Sequence, residues 1–176
     1  MCPRFFITML VTGLLHPVAN AGAAPAVPFV DGLWSGGIET LPNSSMFEKC
    51  SASTTFIDGT TFAIAERRNQ NWYLRMSNNG WRLPPSSHYP VVAQVDFYPP
   101  LRIDAEAKSH RLLEIAILDH HALLGLIENG HAIKLTAGRF KQMYDLEGTA
   151  KVIERLRNCV ADQLAAERAA TATTIN

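Results

Sequence analysis

The stretch Phe140–Cys159, FKQMYDLEGTAKVIERLRNC, decides how this chain is read. It predicts a strand, a glycine corner at Gly148 and an amphipathic helix. Val152, Ile153, Leu156, Cys159 and Val160 recur at the spacing of one helical face, and Lys151, Glu154, Arg155, Arg157 and Asn158 fill the other. Thr149 stands where an N-cap is wanted, its hydroxyl placed to accept from the N–H of Val152. Gly148 permits the sharp exit from the strand. Cys159 therefore faces the core. For a lone cysteine the plain interpretation is a buried free thiol, so its state depends on the compartment.

The first residues bear on that compartment. Residues 1–21 have the form of a secretory signal peptide: Arg4 as the single charge, an apolar run from Phe5 to Leu15 too short to span a bilayer, and a small-residue site at Ala19-Asn20-Ala21. Cys2 precedes the apolar run and leaves with it. Cys50 and Cys159 remain, and an even count in an oxidising compartment favours a disulfide between them. Losing Arg4 from 16 basic residues leaves 15 against 16 acidic, so there is no basic excess for nucleic acid or anionic lipid. No second apolar stretch is long enough to span a membrane once the signal is removed. A periplasmic or secreted protein is expected, as a monomer or small oligomer.

Working back from the closing helix, the chain is rich in short alternating strands. Residues 22–28 read as an Ala/Pro linker. Phe29–Ile38 suggests a single loose edge strand around Trp34. Asp58-Gly59 joins two β-branched runs as a hairpin. Trp72, Leu74 and Met76 alternate with polar neighbours, and Tyr89, Val91, Ala93, Val95 and Phe97 form a second alternating set. Leu101–Ser109 is polar and reads as a connecting loop or weak strand. Arg111–Leu118 is apolar at both phases except at Glu114. His120–Glu128 reads as a short helix capped by Asp119, and a hairpin around Gly138 leads into the closing helix. That helix is expected to run to about Ala170, with its apolar face lost from Ala165. The organisation expected is one domain over residues 29–165 and a frayed tail over 166–176. The fold class is mainly β (α+β): seven or eight antiparallel strands in a sandwich or curled sheet, with the C-terminal helix packed on it. The expected core is Phe62, Ile64, Trp72, Leu74, Met76, Val91, Val95, Ile115, Ile117, Ile133, Leu135, Val152, Ile153 and Leu156.

Candidates for chemistry are few. Asp119, His120, His121 and His131 lie within thirteen residues. Adjacent histidines on a helix diverge by about 100°, and no HxH, HxxxH or HExxH spacing is present. Helix-terminal polar residues are the plainer account, with His120, His121 and His131 as candidate metal ligands. No GxSxG elbow, Walker loop, GxGxxG or CxxC occurs, and no cofactor is implied. Ser87-His88 and Asp96 are not singled out by spacing. Among the aromatics, Trp72 shares the core phase, whereas Trp34, Trp81 and Tyr98 are candidates for binding a partner.

Several short patterns carry a resemblance: Trp34 near the start of the domain, Phe47-x-x-Cys50, Val95-Asp96 at a strand end, and Leu146-x-Gly148 leading into a helix through Leu156. In these the chain resembles the small periplasmic proteins of the invasion-associated locus B kind, and exported domains of symbiotic and pathogenic α-proteobacteria. The resemblance implies a β-sandwich-like, non-enzymatic envelope protein and transfers no active-site residue. The expected function is an exported binding or structural module whose partner is a protein or envelope component, with a host-interaction role in view. Two alternatives are a small envelope hydrolase or metal-binding protein using Asp96, His88 or the three clustered histidines, and an inhibitor or immunity-type protein that plugs an enzyme.

Overall fold

The computed structural model describes residues 28–117 and 121–174. The expected signal peptide and all of the linker but Pro28 lie outside them, as do Asp119 and His120. One ten-stranded antiparallel sheet runs through the domain, in the order β1-β2-β3-β4-β5-β8-β7-β6-β9-β10. The strands are β1 (Phe29–Asp31), β2 (Trp34–Thr40), β3 (Phe47–Thr55), β4 (Thr61–Arg67), β5 (Trp72–Ser77), β6 (His88–Val95), β7 (Leu101–Ser109), β8 (Leu112–Ala116), β9 (Ala132–Ala137) and β10 (Phe140–Asp145), with helices α1 (His121–Asn129) and α2 (Thr149–Thr174). The curled-sheet form of the expected fold is the one adopted. The far edge, β10, returns over the β3–β4 hairpin: Tyr144 meets Phe56 at 4.8 Å between ring centroids and Phe62 at 5.7 Å, and Gln142 Nε2 donates to Asp58 at 3.2 Å. The sheet curls without closing.

Every residue of the expected core is buried. The differences lie in strand number and ends. Phe29–Ile38 is a hairpin of two strands, because Gly32 takes φ +58 and turns the chain between Asp31 and Trp34. Leu101–Ser109 is a full nine-residue strand. Its buried positions are Ile103, Ala105 and Ala107, of which the two alanines carry little apolar signal, while Arg102, Asp104, Glu106 and Lys108 line the outer face. Glu114, the polar exception of β8, is buried between Arg67 at 3.0 Å and Arg75 at 3.6 Å. Paired guanidinium groups are what make such a carboxylate tolerable away from water.

Two expectations about α2 are corrected. The Thr149 hydroxyl does not accept from Val152. It donates toward the carbonyls of Ile127 and Leu146, each at 2.8 Å, and Val152 N–H bonds the Gly148 carbonyl instead. Thr149 thus ties α1 to the start of α2. The helix also continues to Thr174, past the expected end near Ala170 and through most of the expected frayed tail. The exposed Ala165, Ala169 and Ala170 favour helix without burial, and Arg68 holds Glu167 at 2.9 Å.

The inner face of α2, with Val152, Ile153, Leu156 and Val160, covers the core side of β2–β4. Cys159 is bonded to Cys50 on β3, with Cα atoms 6.3 Å apart, inside the range that disulfides span. Beside this bond lies Glu66, paired in register with Cys50. Burial pushes its carboxyl up to about 7, with Arg157 pulling the other way, and its Oε2 has no hydrogen-bond partner among the described residues.

Two predictions follow from α2 and its seat. The disulfide closes a loop with sequence separation 109, for which chain entropy gives roughly 4–5 kcal/mol. Urea titration of the reduced protein is expected to show a loss of about that size, and reduced and oxidised forms of equal stability would show that the bond constrains nothing. A carboxyl with a raised folded pKa holds its proton more firmly in the native state. The Glu66 contribution is therefore most favourable below its unfolded pKa near 4.5 and is lost as the pH rises toward 7. Glu66→Gln is expected to flatten the fall in stability between pH 4.5 and 7, measured by denaturant titration at each pH. A slope identical to that of the unaltered protein would remove Glu66 as its source.

Candidate functional site

The corner where β6 ends is the most tightly specified surface feature. Asp96 takes φ +46, a left-handed conformation that short polar side chains tolerate. Its N–H donates to the Ala132 carbonyl at 3.0 Å, and Tyr98 N–H donates to Val95 at 3.0 Å. The Asp96 carboxylate accepts from the backbone N–H of His131 at 3.1 Å and of Ala132 at 2.9 Å. Gln94 Nε2 reaches the Tyr98 carbonyl at 3.3 Å. Gly130 lets the end of α1 come this close, since a Cβ there would stand 2.3 Å from Val95 Cγ1 and 2.7 Å from the Leu126 carbonyl. The backbone N–H groups of His131 and Ala132 hold the Asp96 carboxyl below the usual range. Pro99-Pro100 then restricts the exit into β7.

The locked corner presents two aromatic rings. Phe97 is 100% exposed and Tyr98 54%. Phe97 is thus not in line with Val91, Ala93 and Val95, as alternation implies, because the left-handed turn at Asp96 ends the strand two residues early. His131 borders the hollow of 550 Å³ beside Asp96, Phe97 and Tyr98, and also an open trough of 840 Å³ that continues past Phe56, Met143, Glu128, Asp145 and Glu147. The walls combine apolar side chains with carboxylates. Arg157 holds Glu128 in a two-pronged pair at 2.8 and 2.9 Å, and Asp145 caps the N–H of Glu147 at 2.8 Å. Such a surface is complementary to a partner offering basic and apolar groups.

Of the candidate binding aromatics, Tyr98 belongs to this surface. Trp34 does not. It is buried, its Nε1 donates to the Glu147 carbonyl at 2.9 Å, and it packs edge-on to Phe62 at 6.2 Å. Trp81 is half-buried at the opposite end of β6 and meets Phe140 edge-to-face at 6.0 Å. Of the histidines, His131 is exposed, with Nδ1 3.4 Å from Asp96. His121 opens α1, and His120 lies outside the described residues. Among the described residues no group of three or more His, Cys, Asp or Glu side chains is placed to hold a metal. His88 pairs with Asp104 across β6 and β7, and that carboxylate raises its pKa. Eight residues of strand separate His88 from Asp96, roughly 25 Å at the rise of an extended chain. Of the residues suggested for a hydrolase, Asp96 and His131 are therefore together and His88 stands apart from them.

An open curled antiparallel sheet, backed by a C-terminal helix that a disulfide binds to the third strand, defines the structural class. Invasion-associated protein B from Bartonella henselae shares this fold: the superposition has a TM-score of 0.53 at 14% sequence identity and covers 75% of this chain and 96% of that one. No family model matches the chain, and neither does any curated protein.

The corner makes a direct prediction. A depressed carboxyl contributes stability above its unfolded pKa and loses it as the pH falls through the lower, folded one. Asp96→Ala is expected to speed amide hydrogen exchange at His131 and Ala132 at neutral pH while leaving the amides of β4 and β5 protected. Unchanged exchange at both would mean that the carboxylate does not hold the corner.

Proposed function

We propose that this protein is an exported, non-enzymatic binding module, and that its contact surface is the Phe97–Tyr98 corner with the acidic trough behind His131. The partner on this reading is a protein of the envelope or of a host surface that offers basic and apolar side chains. The observation that carries the proposal is a fully exposed aromatic ring on backbone fixed by five hydrogen bonds, from Asp96, Tyr98, His131, Ala132 and Gln94. Aromatic residues supply a large share of binding energy at interfaces, and a site that is already ordered loses less entropy on association. Export is supported by the form of residues 1–21 and by the Cys50–Cys159 bond, which belongs to an oxidising compartment. The host-directed part rests on the name of the protein that shares the fold.

The test compares the unaltered protein with Phe97→Ala/Tyr98→Ala as bait in periplasmic extract and on host-cell surface protein. The expected result is a partner retained by the first and lost, at least tenfold, by the second, with the same melting temperature for both. Equal retention by the two baits would move the site elsewhere. Recovery of the protein from the cytoplasm with residues 1–21 attached would overturn export.

A further inference from the structure

A second site lies at the other end of β6, away from the Phe97 corner. Trp81, Leu83, Tyr89 and Phe140 surround an apolar cavity of 270 Å³ floored by Met76 and Leu113. Its floor is buried and its rim residues are half-buried, so the space opens to solvent between the 78–87 loop and the β9–β10 turn. The loop is held in place: Leu83 N–H donates to the His110 carbonyl at 2.9 Å, and Ser86 N–H donates to Ala107 at 2.7 Å. Interiors ordinarily close such gaps, because unfilled apolar space forfeits packing. The volume is nearly twice that of a cavity of about 150 Å³ that takes up benzene. No carboxylate, amine, guanidinium or imidazole lines it, and the Tyr89 phenol is its one polar side chain apart from the Trp81 indole N–H. The two segments between which the cavity opens each carry a cation: Arg82 on the 78–87 loop, donating to the Asn79 and Trp81 carbonyls at 3.0 and 2.7 Å, and the exposed Arg139 in the β9–β10 turn.

We infer that this cavity binds the tail of a free medium-chain carboxylate, with its head against the arginines at the rim. The apolar walls set the tail, the volume sets its bulk, and charge complementarity sets the head. Trp81 is the natural reporter, since Trp34 and Trp72 are buried elsewhere in the core.

The experiment titrates octanoate, and separately octanol, into the protein while following tryptophan emission. A saturable change with octanoate that disappears in Trp81→Phe is expected. Ala137→Phe, which fills the cavity from β9, is expected to weaken octanoate at least tenfold without lowering the melting temperature. Arg82→Glu/Arg139→Glu is expected to weaken octanoate severalfold and leave octanol unchanged. Phe97→Ala should bind octanoate as the unaltered protein does, which separates this site from the corner proposed above. No saturable change, or equal affinity after Ala137→Phe, overturns the inference. Equal loss of octanoate and octanol in the charge variant overturns the role of the arginines. Binding to phosphatidylglycerol vesicles in place of monomeric octanoate overturns the free carboxylate as ligand.

Discussion

The bond between Cys50 and Cys159 is the constraint on which the arrangement turns. Each hairpin of the sheet is a local pairing, and none of them joins the first third of the chain to the last. That connection is made by α2 lying on β2–β4, by Trp34 donating to Glu147, by Tyr144 of β10 returning over Phe56 and Phe62, and by the disulfide that ties α2 to β3. A helix seated by one face of apolar side chains can leave as a unit, since local opening is set by the buried contacts of each element. The covalent bond keeps the departing helix within reach of its seat. It also confines Glu66, which has exchanged solvation for a place under the helix.

Much of the fold was legible because alternation is loud where side chains are large. Phe62, Ile64, Leu74, Met76 and Val91 announce their strands, and Asp58-Gly59 announces its turn. Strand β7 was quiet because alanine at Ala105 and Ala107 fills buried positions with little hydrophobic signal, and its charged outer face dominates the reading. The far end of α2 was hidden for the opposite reason. Periodicity reports burial, whereas the alanine-rich end is helical by intrinsic preference and faces water.

The corner at Asp96 was legible only in part. Tyr98 stood out as an aromatic beside Pro99-Pro100, and His131 as one of a local group. Their meeting depends on α1 ending at Gly130 against Val95, a contact between residues 35 apart that no local pattern records. Phe97 was concealed by its own phase: it continues the alternation of β6, and one left-handed residue turns it outward. The same carboxylate that ends the strand holds the next element in place, so position and exposure of the aromatic pair have a single cause.

The 109-residue span of the disulfide has a consequence in time. A chain made from its N-terminus at about 5–20 residues per second presents Cys50 roughly 5–20 s before Cys159. During that interval β3 and β4 can pair, yet the thiol that must join them to α2 has not met its native partner, and Cys2 is the one other thiol already made. The core side of these strands lies bare until the closing helix arrives. A cell making this protein has to guard that thiol from other cysteines for those seconds, and the final helix then acts as both lid and clasp.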